Sequence, residues 1–395
     1  MALFSALPRG DLREIVRQFT PNWFAANMGT GILALMVGAF PYPFWGQSPL
    51  AQGLWIINGL FFCLFAGLFL GRAIFYPASF RRLFGHPVQS LFIGAIPMGL
   101  ATIINGGLLL GPHSGPALEM ALVFWWVDVA LSVLSVLVVP YFMFTAQEHA
   151  IERMTAAWLL PIVPPEVAAA SGGLLAPHLA TGGATMVIYI SYVLWAISVP
   201  LALGILTILF LRLTLHKLPH ADMAVSAWLP LGPLGTGALA LVLLGDADTR
   251  AFAATPLAQS AAFGQMGSIF IAFLLWGFGL WWMAMAGLFT LRYLHEGLPF
   301  NMGWWGFTFP LGVYTAATFA LAHDTDFGVL APLGAGFTLL LAFFWGLVTW
   351  RSFQGMWSGQ LFHAPCLSEE TGLLEGVCTL PPPGSGPDLL ESLRR

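Results

Sequence analysis

Five times along this chain an apolar segment is broken by a proline or glycine and then resumes in small residues. The breaks fall in Asn27–Leu35, Pro97–Ile103, Pro164–Ser171, Pro233–Leu241 and Pro310–Thr318, a recurrence of roughly 70 residues that has the character of an internal repeat. Inside a membrane, a broken helix is tolerated only where its freed backbone groups find partners or line a cavity. Five such helices in one chain predict a single central pathway.

The membrane reading follows from charge. Only 8% of the 395 residues are charged and 58% are hydrophobic, with mean hydropathy +0.82, against about 25% charged in a soluble domain. A span needs about 20 apolar residues. Ten candidates meet that need, at roughly 19–41, 53–76, 90–110, 118–145, 156–177, 183–212, 224–244, 263–292, 304–323 and 329–353. Short connections pair them as five antiparallel hairpins. The fold class expected is therefore an all-α integral membrane protein, with ten transmembrane helices as five hairpins in quasi-five-fold arrangement around a central pore. All five broken segments fall in the odd-numbered members, whose small residues suit the inside. The even members carry bulky runs such as Phe61–Phe65 and Phe278–Met283, suited to lipid.

Basic residues orient the chain. With both ends cytoplasmic, Arg72, Arg81, Arg82, Arg153, Arg212, Lys217, Arg292 and Arg351 collect at internal loops and helix ends. Arg9, Arg13, Arg17, Arg394 and Arg395 lie in the tails, and Arg250 is alone outside. That bias predicts cytoplasmic N and C termini in an inner or plasma membrane. Residues 1–18 read as a cytoplasmic amphipathic segment, with Leu12, Ile15, Val16 and Phe19 on one face. Residues 19–357 read as the ten-helix transmembrane domain, and 358–395, with Pro381–Pro383, as a disordered cytoplasmic tail.

Other classes find little support. Cys63, Cys366 and Cys378 form no CxxC pair, so neither a metal site nor a disulfide framework is expected. No basic cluster points to nucleic acid. A redox or haem subunit would need histidines paired at one depth on adjacent spans, whereas the nine here lie near span ends or in loops. No cofactor is expected, and no Gly-x-Ser-x-Gly or paired intramembrane carboxylates suggest a hydrolase.

The most specific segment is Asn301–Tyr314 (NMGWWGFTFPLGVY). It resembles the WW-x-x-x-F-P signature of the tellurite-resistance/dicarboxylate transporter family. Pro21–Gly31 and Met154–Pro164 agree, and the resemblance covers the chain to about residue 360. It is nearest to the malate-transporter branch. The family also holds sulfite exporters, tellurite-resistance proteins and guard-cell slow anion channels. The resemblance implies a homotrimer and a central anion pore occluded by a phenylalanine of the ninth span. By motif position Phe309 matches that ring first and Phe307 second.

An anion entering a low-dielectric path pays a large desolvation cost. The odd helices have no Arg or Lys near mid-membrane to offset it, so weaker donors must be distributed along the path. The candidates are Asn27, Thr30, Thr102, Asn105, Ser171, Thr236, Thr308, Thr315 and Thr318. Each hydroxyl has a competing role in bonding its own helix carbonyl. Glu166, on the Pro164–Pro165 break, is a pathway carboxylate by default, suited to proton coupling or to capping freed backbone. The function expected is malate or C4-dicarboxylate transport. A sulfite exporter or monovalent-anion channel is the alternative.

Overall fold

Each broken segment adopts the same local form. In the computed structural model, which describes residues 12–112, 114–252 and 258–357, a 3₁₀ segment precedes an α-helix five times. Pro21–Trp23 precedes α2 (Phe24–Gly38), after a short N-terminal α1 (Leu12–Gln18). Gln89–Gly94 precedes α5 (Ala95–Leu109), Ala156–Leu159 precedes α7 (Pro164–Leu175), and Ala221–Trp228 precedes α9 (Leu231–Ala251). Met302–Phe307 precedes α11 (Phe309–Thr325). Pro97, Pro164, Pro165, Pro233 and Pro310 all sit in the first turn of these helices. A missing N–H costs nothing there, because that amide has no intrahelical acceptor. The expected mid-helix kinks are therefore helix starts.

Five long helices alternate with them: α3 (Gln47–Phe75), α6 (Gly115–Thr145), α8 (Thr181–His216), α10 (Ala258–Glu296) and α12 (Leu330–Trp357). A short α4 (Pro77–Gly85) follows α3. No strand occurs among the described residues. Among the described residues, seven helical stretches are long and apolar enough to cross a membrane: these five long helices, Gln89–Leu109 and Ala221–Asp248. The expected spans at 19–41, 156–177 and 304–323 instead hold α-helices of 15, 12 and 17 residues, because the 3₁₀ segments take up their first turns. Of the expected N-terminal segment, α1 is described and packs on α3. The tail at 358–395 lies outside the described residues.

The broken helices form a closed ring. α2 packs on α5, α5 on α7, α7 on α9, α9 on α11, and α11 back on α2. Each long helix lies outside, against its own predecessor and the next member of the ring. Ring members approach closely. A Cβ on Gly235 would meet the Tyr314 backbone at 2.6 Å, and one on Gly94 would meet the Leu160 carbonyl oxygen at 2.1 Å. Small residues permit such backbone contact where lipid supplies no hydrophobic drive for helix association.

One interaction repeats around the whole ring. Trp55 on α3 donates its indole N–H to the Ile103 carbonyl of α5 at 3.1 Å. Trp125 on α6 donates to Ala168 O of α7, and Trp195 on α8 to Gly237 O of α9, each at 2.9 Å. Trp276 on α10 donates to Thr318 Oγ1 of α11 at 2.9 Å, and Trp345 on α12 to Thr30 Oγ1 of α2 at 3.0 Å. Every outer helix thus clamps the inner helix of the following repeat, and the last clamps the first.

Removing one indole donor should cost about 1 kcal/mol, the net worth of one buried hydrogen bond. Trp125→Phe is expected to lower the thermal unfolding midpoint in detergent. Trp126→Phe, at the adjacent and partly exposed position, should leave it nearly unchanged. Equal effects of the two substitutions would show that ring size, not the N–H bond, matters. Gly235→Ala is expected to destabilise by about 1–3 kcal/mol through overpacking against backbone.

Candidate functional site: an axial path divided by Phe309

Two cavities lie along the ring axis. The first, about 270 Å³, is bounded by the 3₁₀ segments of all five repeats, the first turns of α2, α5, α9 and α11, and Val163 just before α7. Asn22, Gln89, Ala157, Asp222 and Met302 represent the five repeats in its wall. The second, about 180 Å³, is lined by the later turns of the same helices, with Leu35, Asn105, Ala170, Thr236 and Ala316 one from each. No residue of α3, α6, α8, α10 or α12 lines either space. Since starts face one cavity and later turns the other, the five inner helices run parallel. Their partial positive ends, about half an elementary charge per helix, gather around the first cavity.

Phe309 lines both cavities and is 3% exposed. The first residue of α11, it immediately precedes Pro310, and its ring stands where the two spaces meet. Phe307 does not line either one. It stacks on Phe344 with ring centroids 4.7 Å apart and meets Trp228 and Trp304 edge-on. Two positions back along the 3₁₀ turn from Phe309, this second candidate for an occluding ring has its side chain against α12.

The polar candidates divide. Thr102, Asn105 and Thr236 line the second cavity. Asn27, Thr30, Glu166, Ser171, Thr308, Thr315 and Thr318 line neither cavity. Asn27 Nδ2 donates to the Asn58 carbonyl at 2.9 Å and to its Oδ1 at 2.6 Å, and Asn58 Nδ2 donates to Thr102 Oγ1 at 2.9 Å. This relay ties α2, α3 and α5 together. A Cβ on Gly31 would sit 2.2 Å from Thr102 Oγ1, so the glycine makes room for it. Thr30, Ser171, Thr308, Thr315 and Thr318 donate to carbonyls three or four residues back, and Thr30 and Thr318 also accept the indole clamps. Glu166 is wholly buried, with its carboxyl against Ser198 of α8 and Gly237 of α9, off the axis. Asp128 on α6 is likewise buried and lines neither cavity.

The mouth of the first cavity carries polar caps that sequence patterning missed. The Thr155 hydroxyl accepts from the Ala157 N–H, and Asn301 Oδ1 from the Gly303 N–H. Two caps are imidazoles. His86 Nδ1 accepts from the Val88 and Gln89 N–H groups at 3.2 and 3.1 Å, and His220 Nδ1 from the Asp222 N–H at 3.4 Å. Each cap stands at the start of a 3₁₀ segment, the position where Thr, Asn or an unprotonated imidazole nitrogen supplies an acceptor. Asp222, half-exposed and 3.0 Å from His220, is the one acidic residue lining either cavity. No Lys or Arg lines them.

These features define a polytopic helical membrane protein of the transport class, built around an axial path with an aromatic constriction. The chain belongs to the voltage-dependent anion channel family, SLAC1, which matches residues 18–353. It is similar to the sulfite efflux pump SSU1 of Arthroderma otae, 41% identical over 84% of this chain and 89% of the relative. It also resembles the uncharacterized transporter MJ0576 of Methanocaldococcus jannaschii, 30% identical over 88% of this chain and 96% of the relative. The malic acid transport protein of Schizosaccharomyces pombe is 23% identical over 86% of this chain and 79% of the relative. The protein transports anions and is not an enzyme.

Burial lowers the His86 pKa, a hydrogen bond to its own backbone opposing this more weakly. A depressed histidine pKa contributes stability that is complete above the unfolded value near 6.5 and is lost as pH falls through the lower folded value. His86→Asn keeps an acceptor without a titrating group. It is expected to flatten the acid side of the thermal-stability profile below about pH 6.5; an unchanged acid limb would assign that loss to other groups.

Proposed function

We propose that this protein carries small oxyanions, sulfite foremost, along the axis of the five-helix ring, with Phe309 as the gate. The observation that carries the reading is the position of Phe309 between two cavities lined by the inner helices and the 3₁₀ segments before them, with no residue of the five long outer helices. An aromatic ring in an apolar constriction excludes hydrated ions until it swings aside. The parallel helix starts around the first cavity favour anions. The weak, uncharged lining beyond it lets an ion leave. In this reading all ten segments cross the membrane as five hairpins, with both termini and the first cavity on the cytoplasmic side. A trimer, implied by the family resemblance, would cover part of the exposed apolar faces of the outer helices.

Sulfite is preferred over malate, which the sequence resemblance favoured. Three fungal relatives named as sulfite efflux pumps are 41–42% identical to this chain, against 23% for the malic acid transport protein. Malate remains the second substrate to test.

Flux should be measured in proteoliposomes with sulfite, malate, nitrate and chloride. Wild type is expected to carry sulfite above the protein-free background. Phe309→Ala should raise anion flux about tenfold, equivalent to about 1.4 kcal/mol off the barrier. Phe307→Ala should instead lower thermal stability by about 3–5 kcal/mol, as for loss of a packed core aromatic. Unchanged flux in a folded Phe309→Ala protein would reject the gate.

A further inference from the structure

The second cavity is nearly all hydrocarbon. Its polar side chains are Thr102, Asn105 and Thr236. Thr102 is already committed, since its hydroxyl donates to the Gly99 carbonyl at 2.7 Å and accepts from Asn58. Thr236 is 1% exposed, and its Oγ1 has no hydrogen-bond partner; Asn105 Oδ1 also has none. A buried polar atom left unpaired costs about 1–3 kcal/mol. These two therefore stand on α5 and α9 with unused hydrogen-bonding capacity, beyond the Phe309 ring.

We infer that Asn105 and Thr236 form an anion-selecting site for a singly charged oxyanion that still carries a proton. This rests on the transport reading above. The carboxamide and the hydroxyl each offer donor hydrogens and an acceptor oxygen. An ion with acceptors alone engages the donors and leaves Asn105 Oδ1 unpaired. The hydroxyl isomer of hydrogensulfite, or a hydrogen dicarboxylate, donates its own O–H to that oxygen while accepting from Thr236. Charge selects in the same direction. No Lys or Arg lines the cavity, and the cost of moving an ion out of water rises with the square of its charge. A dianion thus meets about four times the penalty of a monoanion of equal size. A site that hydrogen-bonds a substrate O–H discriminates strongly against analogues that lack it. Nitrate, an oxyanion without a proton, is the matched comparison.

The experiment uses the full chain in proteoliposomes, with protein-free vesicles subtracted. Sulfite and nitrate initial rates are measured for wild type, Thr236→Val, Thr236→Ser and Asn105→Leu. The wild-type sulfite rate at fixed total concentration is expected to fall as pH rises through the second ionisation of sulfite, following the singly charged form. Thr236→Val and Asn105→Leu should each lower the sulfite rate about tenfold, the loss of one hydrogen bond to a charged group. Nitrate accepts from the Thr236 hydroxyl but has no proton for Asn105 Oδ1, so its rate should fall about as far as sulfite's in Thr236→Val and less than sulfite's in Asn105→Leu, and the sulfite-to-nitrate ratio should drop only in Asn105→Leu. Thr236→Ser should keep the wild-type sulfite-to-nitrate ratio. Equal loss of both anions in Asn105→Leu, in protein whose Thr236→Ser variant keeps the wild-type rates, would overturn the selectivity. So would a sulfite rate that follows the dianion. A wild type that carries neither anion would overturn the transport reading itself.

Discussion

Five parallel helices do not share an axis willingly. Their like ends face one another, and in lipid no hydrophobic force gathers them. What gathers them here is the indole clamp, made five times at equivalent positions by Trp55, Trp125, Trp195, Trp276 and Trp345. Each bond runs from an outer helix to the inner helix of the next repeat, so neighbouring repeats interlock rather than merely abut. The axial cavities depend on this. With the inner helices held from outside, none needs a large side chain reaching inward, and the space between them stays open on both sides of Phe309.

The same geometry settles the electrostatics without placing a cation on the axis. The outer helices return to the side of the first cavity, and their negative C-terminal ends meet basic residues. Arg72 near the end of α3 is fully buried and donates to the Phe19 and Ser79 carbonyls. Arg212 near the end of α8 donates to the Lys217 and Glu152 carbonyls. Cations thus compensate the periphery, and the helix starts at the centre keep their positive ends. An anion meets a diffuse attraction rather than a fixed charge that would hold it.

How far the chain was legible varied by residue. Composition and the five breaks were read correctly, because hydropathy and proline act locally. The breaks were taken for mid-helix kinks, since sequence does not reveal whether a proline lies in the first turn or the fourth. The motif ranked Phe309 first and Phe307 second as candidate rings, and what sequence could not show is how they pack: Phe307 stacks on Phe344, whereas Phe309 lines both cavities. Asn27 and Thr102 read alike in sequence, because a polar residue in an apolar helix has two possible faces, yet Thr102 lines the second cavity and Asn27 lines neither. Their partner Asn58 lies on α3, a helix read as lipid-facing. The tryptophans had a detectable signal in their spacing, hidden by eleven others of the same type among the 16 in the chain.

The closing clamp joins Trp345 to Thr30, across 315 residues. As the chain leaves the ribosome, four links form in order and each waits only for the following repeat. The fifth waits for the last helix. Until α12 arrives the first helix is unlatched. A chain that ends before α12 therefore cannot make the Trp345–Thr30 bond, and its ring of inner helices is left without its last latch.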